Sequence, residues 1–366
     1  MKKAPIIWLN VLVFSITFAV AAIGVPVYAL TVGIDASLWW AALAMFIFSG
    51  LSITAGYHRL WSHRTYDAHW SVRAIFALGG ALALQNSALH WSSDHREHHK
   101  HVDHDDNDPY SASRGFWYSH IGWMLREYHP DKYYDYNNVK DLQRDKIVMW
   151  QHKYYLPLAL ALNIGLPVVL GLLVGNVLGA LLVTGFLRLV VNHHTTFFIN
   201  SLAHIWGNRP YTERNSARDN GALAFVTFGE GYHNFHHIFS GDYRNGVRWY
   251  QFDPTKWLIR GMSFIGLAGN LKRASEYQIE KARMEVMWLR LQRKRQTTAE
   301  WMQHEYDELL EKTKAYYLSR KKLLDTKTQS IKDQVAHSAL MAQYQELKSS
   351  FREERRRWRK MVRAAL

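Results

Sequence analysis

Four stretches of the chain are almost free of charge for the width of a bilayer. Residues 6–30, 36–56 and 154–174 contain no charged side chain, and residues 176–198 contain only Arg188. A helix of about 20 apolar residues crosses the hydrocarbon core, and helical winding satisfies the backbone where no water can. The links, residues 31–35 and the single Gly175, are too short to hold a domain. The pattern predicts an all-α integral membrane protein with four transmembrane helices in two hairpins. A signal peptide is the rival reading of the first stretch, because Lys2 and Lys3 precede it. Its length, and the second span following at once, argue against that.

Charge sets the expected orientation. The first residues, the long loop 57–153 and the C-terminal part are rich in Lys and Arg, and the two short links have none. The positive-inside rule then places both termini and the loop in the cytoplasm. Residues 74–84 are also apolar but short, and run into Gln85, Asn86 and Ser87. We read them as an interfacial or re-entrant helix, not a fifth span.

Composition changes near residue 271, giving a membrane domain over 1–270 and a basic extension over 271–366. The extension holds 23 Lys/Arg against 13 Asp/Glu, most of the chain's formal charge of +14. Such a surface suits anionic lipid headgroups better than nucleic acid, a plain solvated face being the alternative. Met284, Met287, Trp288 and Leu291 lie at helical spacing, and Met302, Leu309, Tyr316 and Leu323 recur every seven residues. This predicts a long amphipathic helix, a break at 325–330 and a second helix ending in the basic run 355–360. A coiled-coil-like hairpin packing on the membrane domain is expected, in preference to an arm for a partner.

Chemistry is concentrated in histidine. Of 20 histidines, nine fall in four places: His58 and His63 in HRLWSH, His95, His98 and His99 in DHREHH, His204 in NSLAH, and His233, His236 and His237 in GEGYHNFHH. Positions i, i+3 and i+4 of a helix share one arc, so each H-x-x-H-H box projects three imidazoles from one face. His58 and His63, five apart, fall about 140° apart on an α-helix, so one is expected where the helix frays. An even number of spans separates His99 from His204, which returns all four groups to one membrane face. With no cysteine in the chain, thiolate ligands, iron–sulfur clusters and Cys-ligated haem are excluded. Nine imidazoles exceed one tetrahedral zinc and suit two metal ions, with spacing alone leaving Zn, Cu, Fe and Ni open. Asp94, Glu97, Asp103, Asp105, Asp106 and Glu230 are candidates to orient imidazoles, or else solvated loop charges.

The strings GYHRLWSHRTY, QNSALHWSSDHREHHK, NSLAH and GEGYHNFHH resemble those of the membrane fatty-acid desaturases, specifically the stearoyl-CoA desaturase branch, over roughly residues 5–270. The resemblance implies a cytoplasmic helical cap, over 57–153 and 199–270, that holds two iron ions on the nine histidines, with Asn200 holding a metal-bound water. It also places Gln85, Trp91 and Thr196 at the bend of a narrow acyl tunnel, and Asn86 and Asp94 at coenzyme A. Ser93, Glu127 and Tyr128 stand where vertebrate members carry basic residues, and Arg126 is the nearby cation. The pair His193 and His194 departs from the vertebrate pattern and is read as supporting or structural.

What the resemblance implies is an O2-dependent desaturase that puts a cis double bond, at delta-9, into a saturated fatty acyl-CoA, with an acyl-lipid as the alternative substrate. No fused cytochrome b5, flavin fingerprint or ferredoxin cysteines are recognised, so a separate electron donor is expected, such as a ferredoxin, a flavin reductase or a cytochrome b5-like protein. The short loops suggest a bacterial inner membrane. Membrane alkane or fatty-acid hydroxylases share the histidine logic and are the nearest rivals. A metal transporter would place ligands near the midplane, and a tethered scaffold would make the extension primary.

Overall fold

The computed structural model describes residues 4–130, 133–295, 300–329 and 334–365. The chain divides into two compact units, Met1–Arg209 with Asn215–Arg273, and Pro210–Arg214 with Ala274–Leu366.

The first unit is built on α1 (Trp8–Thr31) and α2 (Ala36–Ser62), then α3 (Trp70–Ala83) and α4 (Ala88–His101), then α5 (Tyr155–Val174) and α6 (Val177–Ile205). Helices α1, α2, α5 and α6 are each long and apolar enough to cross a bilayer. The hairpins begin and end on local chemistry. Asp35 caps α2 by accepting the Ser37 N–H at 2.8 Å. Gly175, at φ +79°, takes the left-handed conformation that closes α5. Asn176 then caps α6 through Gly179 N–H and accepts the Tyr28 hydroxyl, both at 2.8 Å, tying the second hairpin to α1.

Helices α1 and α5 turn most of their surface outward, whereas α2 and α6 are half or more buried and carry the site. Arg188, the charge that interrupts the fourth stretch, is buried and satisfied. It donates to Leu82 O at 2.8 Å, Asn163 Oδ1 at 2.6 Å and Thr184 O at 3.0 Å, joining α3, α5 and α6. An intramembrane cation persists only with such partners.

The structure extends two spans beyond the apolar stretches. Helix α2 continues to Ser62, so His58 lies within it, and α6 continues to Ile205 and includes His204. The last eleven residues of α2, Ser52–Ser62, are wound as π-helix. There i→i+5 bonding stacks residues five apart, and His63 N–H bonds His58 O at 3.1 Å. The 140° expected for an α-helix is thereby removed, and the two rings meet at 4.9 Å. Helix α3 does not run on: Leu84, at φ +51°, ends it, and α4 leaves at 80°. A two-residue antiparallel ladder, Asp67–Ala68 with Ala268–Gly269, pins the chain after α2 to the end of this unit.

The second unit holds three described helices, α9 (Glu276–Arg295), α10 (Glu300–Gln329) and α11 (Gln334–Ala365); α7 (His233–Ile238) and α8 (Pro254–Phe264) precede them in the first. Trp288, Tyr306 and Trp358 form its aromatic centre, with ring separations of 5.2–5.8 Å. Glu213 binds Arg290 at 2.7 Å and Arg293 at 2.5 Å, which brings the 210–214 segment into this unit. The expected single helix from Met284 onward is described as α9 and α10, with 296–299 outside the described residues. Helix α10 ends at Gln329, within the range where a break was expected, and residues 330–333 lie outside the described residues.

Candidate metal centre and substrate cavity

The nine box histidines gather into two groups. One contains His58, His63, His95, His99 and His236, the other His98, His204, His233 and His237, and within each the ligand atoms lie within 4.8 Å of one another. Facing Nε2 atoms are 3.0 Å apart for His58 and His236, 2.8 Å for His63 and His95, and 2.9 Å for His99 and His236. In the second group the separations are 3.3 Å for His98 and His237, 3.1 Å for His204 and His233, and 3.0 Å for His233 and His237.

Helical phase explains the division. On α4 the i and i+4 residues, His95 and His99, enter the first group, and the i+3 residue His98 turns into the second. On α7 the assignment crosses over: His233 and His237 enter the second group and His236 the first. Each H-x-x-H-H box therefore serves both groups, and α2 and α6 complete them.

The groups are buried, and burial first, then crowding among the rings, holds His63, His95, His99, His233, His236 and His237 well below the usual imidazole pKa. They are neutral near pH 7, the state a metal requires. With inward Nε2 atoms and no competing thiolate, and with His63, His99 and His237 only half-buried, the donor set fits two imidazole-rich metal ions.

Outer contacts fix the rings. His98 Nδ1 donates to Asp108 Oδ1 at 2.8 Å, His95 Nδ1 meets the Tyr110 hydroxyl at 3.2 Å, and His204 Nδ1 meets Ser216 Oγ at 2.7 Å. Glu230 Oε2 lies 2.9 Å from His58 Nδ1, too oblique for a hydrogen bond. Burial alone would raise the Glu230 pKa, but the neighbouring charges of His58 and Arg59 outweigh it and leave the carboxyl at about 2. Arg59, fully buried, bonds Glu230 at 2.8 Å and Asp253 at 3.0 Å, which locks the HRLWSH box to the GEGYH box.

Of the other suggested carboxylates, Asp103 bonds Ser216, which meets His204, and its own Oδ1 stands 4.0 Å from His204 Nδ1. Asp94 faces His90 at 3.4 Å, and Glu97 faces His101 at 3.6 Å, neither ring being in the groups. Asp105 bonds Ser111 and Ser113, and Asp106 is exposed. Asp108, Tyr110 and Ser216 escaped sequence reading. Asp108 was one of several acids in DHDDNDP, and nothing local marked it as the one that folds back.

A cavity of about 250 Å³ is lined by Trp91 and Tyr110, both of which contact box histidines. Gln85, Trp91 and Thr196 line it, as do Asn86, Asp94, Arg126 and Asn200. Gln85 Nε2 donates to Thr196 Oγ1 at 2.8 Å. Trp91 stacks on His95, with centroids 4.8 Å apart, so the cavity wall is also the back of an imidazole. Burial, with Glu97 nearby, pushes Asp94 up to about 7. Arg126 bonds Ala4 O at 2.6 Å. His193 Nε2 donates to Ala83 O and Leu84 O at 3.1 Å, bracing the α3–α4 corner, and His194 pairs with His120 at 2.9 Å. Neither joins a histidine group.

A family model described as fatty acid desaturase matches residues 36–263. The chain belongs to the fatty acid desaturase family. Within it, the chain is 46% identical over 248 residues to "Acyl-CoA desaturase 1" of Saccharomyces cerevisiae, a match spanning 66% of this chain and 48% of that protein. It is 46% identical to a "Probable acyl-CoA desaturase" of Schizosaccharomyces pombe, over 66% of this chain and 50% of that one. "Stearoyl-CoA desaturase 5" of Bos taurus is 37% identical, over 76% and 83%. The chain spans about half the length of the two yeast relatives. These desaturase relatives are eukaryotic and lend no support to the expected bacterial inner membrane.

Proposed function

We propose that this protein is an O2-dependent acyl-CoA desaturase that introduces a cis double bond, at delta-9, into a saturated chain. The observation that carries the reading is the cavity lined by Trp91, whose ring stacks on His95 of the five-histidine group. The names of the relatives, acyl-CoA and stearoyl-CoA desaturases, support the substrate class.

The nine histidines are assigned as ligands of two iron ions, with Asn200 holding a water. The bound ions supply the oxidising power to remove hydrogen from an unactivated methylene, which side chains lack. The chain's own residues supply position. A saturated chain offers no polar handle, so depth and shape select the carbons. Gln85 and Thr196, hydrogen-bonded to each other in the lining, and the Trp91 indole are assigned to the bend. Asn86, Asp94 and Arg126, which also line the cavity, are assigned to coenzyme A. Four electrons reduce O2 to two waters, two from the acyl chain and two from a separate donor docked by the basic surface. The Lys/Arg distribution supports cytoplasmic termini and site.

Lipid mass spectrometry of cells expressing the protein tests the reaction, and purified protein offered acyl-CoA or acyl-phospholipid tests the carrier. A new mono-unsaturated acyl chain is expected, formed from acyl-CoA. An added oxygen would instead mean hydroxylation, and unchanged lipids would end the proposal.

A further inference from the structure

We infer that Asp108 and the Asp103–Ser216 pair are positioning residues that make the four-histidine group electronically distinct from the five-histidine group. The inference rests on both groups holding metal ions, as proposed above.

All close contacts inside the groups are between Nε2 atoms, so the outer Nδ1 is where the protein can act on a ring; His233 Nδ1 has no hydrogen-bond partner among the described residues, and His98 and His204 do. An acceptor there fixes the tautomer and raises the basicity of the inward nitrogen, and a carboxylate does so more than a neutral oxygen. In the four-histidine group, His98 Nδ1 donates to Asp108 Oδ1 at 2.8 Å, with both side chains almost wholly buried. The other bonds shown for Asp108 come from the backbone N–H groups of Asp103, at 3.1 Å, and Tyr110, at 3.2 Å. His204 Nδ1 donates to Ser216 Oγ, whose hydroxyl donates to Asp103 Oδ1 at 2.5 Å, and Asp103 Oδ2 accepts the Ser216 N–H at 2.7 Å. The neighbouring guanidinium, Arg218, bonds the carbonyls of His204 and Gly207. Two carboxylates thus act on this group, one directly and one through a hydroxyl.

The five-histidine group is served differently. Glu230 is held by Arg59 at 2.8 Å and by the Asn245 amide at 2.6 Å, and it stands obliquely to His58. Asp253 also binds Arg59. His95 meets the neutral Tyr110 hydroxyl. The group with more rings is backed by offset charge, and the group with fewer rings by charge without such an offset. Asp108 strengthens the donor power of His98, and so supports one metal position and not the other.

The test uses the full chain in detergent, stripped with a chelator and reloaded anaerobically with Mössbauer-active ferrous iron. The parent should bind two ions with two separable spectral components. Asp108→Asn should weaken one ion about 10- to 100-fold against a competing chelator, leaving the other with its parental spectrum. Ser216→Ala should weaken the same ion to a smaller degree, and Asp108→Glu should restore part of the loss. Melting of the metal-free protein should be unchanged by Asp108→Asn. Loss of both ions together, no change in either, or an equal loss of metal-free stability in both Asp108→Asn and Ser216→Ala would overturn the inference. A parent that binds no metal would overturn the di-metal reading itself.

Discussion

At the scale of single residues, the cavity and the histidine groups make separable demands. The Gln85–Thr196 hydrogen bond closes one wall without touching either group. Thr196→Val keeps the volume and removes the acceptor, so it is expected to change double-bond position or preferred chain length while metal content stays constant. Gas chromatography of the products beside metal analysis checks this. The six histidines held well below their usual pKa give a pH dependence of definite sign. An unfolded chain takes up protons on these rings below about pH 6.5, and the folded chain does not. Their contribution to stability is complete above that pH and is lost as pH falls toward the folded values. Melting of the metal-free protein should fall between about pH 7.5 and about pH 5.5; a flat profile would contradict buried, neutral rings. The residue types of the centre were legible because histidine declares its chemistry by identity. Their allotment to two groups was latent in the i, i+3, i+4 phase, but which arc faces which partner helix depends on packing.

At the scale of elements, the approach of α3 to α2 decides whether the boxes meet. Gly79 and Gly80 allow it: a Cβ at Gly80 would sit 2.2 Å from the buried Tyr57 ring, and one at Gly79 2.0 Å from Ser52 Oγ. Gly80→Ala is expected to cost about 1–3 kcal/mol by overpacking, seen as a lower melting temperature. Because Tyr57 packs near Trp91, with centroids 6.0 Å apart, activity should fall further than stability alone explains. Normal stability and turnover would show that the helices separate freely. Apolar length revealed the spans, but not the π winding of Ser52–Ser62. That winding is a backbone choice of about one extra residue per turn, which hydropathy does not record. The basic extension was legible as amphipathic helix from its apolar period, with Met284, Leu291, Met302 and Leu309 buried as the pattern requires. Leu324, from the neighbouring row, is exposed.

At the scale of the whole molecule, the nine histidines come from α2, the α2–α3 junction, α4, α6 and α7, so bound ions would cross-link segments 179 residues apart in sequence, from His58 to His237. Ligands that bind only the folded state stabilise it by mass action, by about 4 kcal/mol at a thousandfold excess over Kd. Reloading stripped protein with ferrous iron should therefore raise its melting temperature, and substituting His236, which faces both His58 and His99, should blunt that rise. An unchanged melting temperature on reloading would mean that the groups do not act as a structural cross-link.

The sequence by itself determined that the chain crosses a membrane, that its metal-ligating side chains are imidazoles, and that those imidazoles return to one side. Each follows from the order of side-chain types along the chain. Tertiary structure alone decided the partition into five and four histidines, the choice of Asp108, Ser216 and Glu230 as their neighbours, and the placing of Trp91 between cavity and centre. Those depend on distances between segments far apart in the chain, which α3 against α2 and the turn at Leu84 set through packing and backbone geometry that no local pattern encodes.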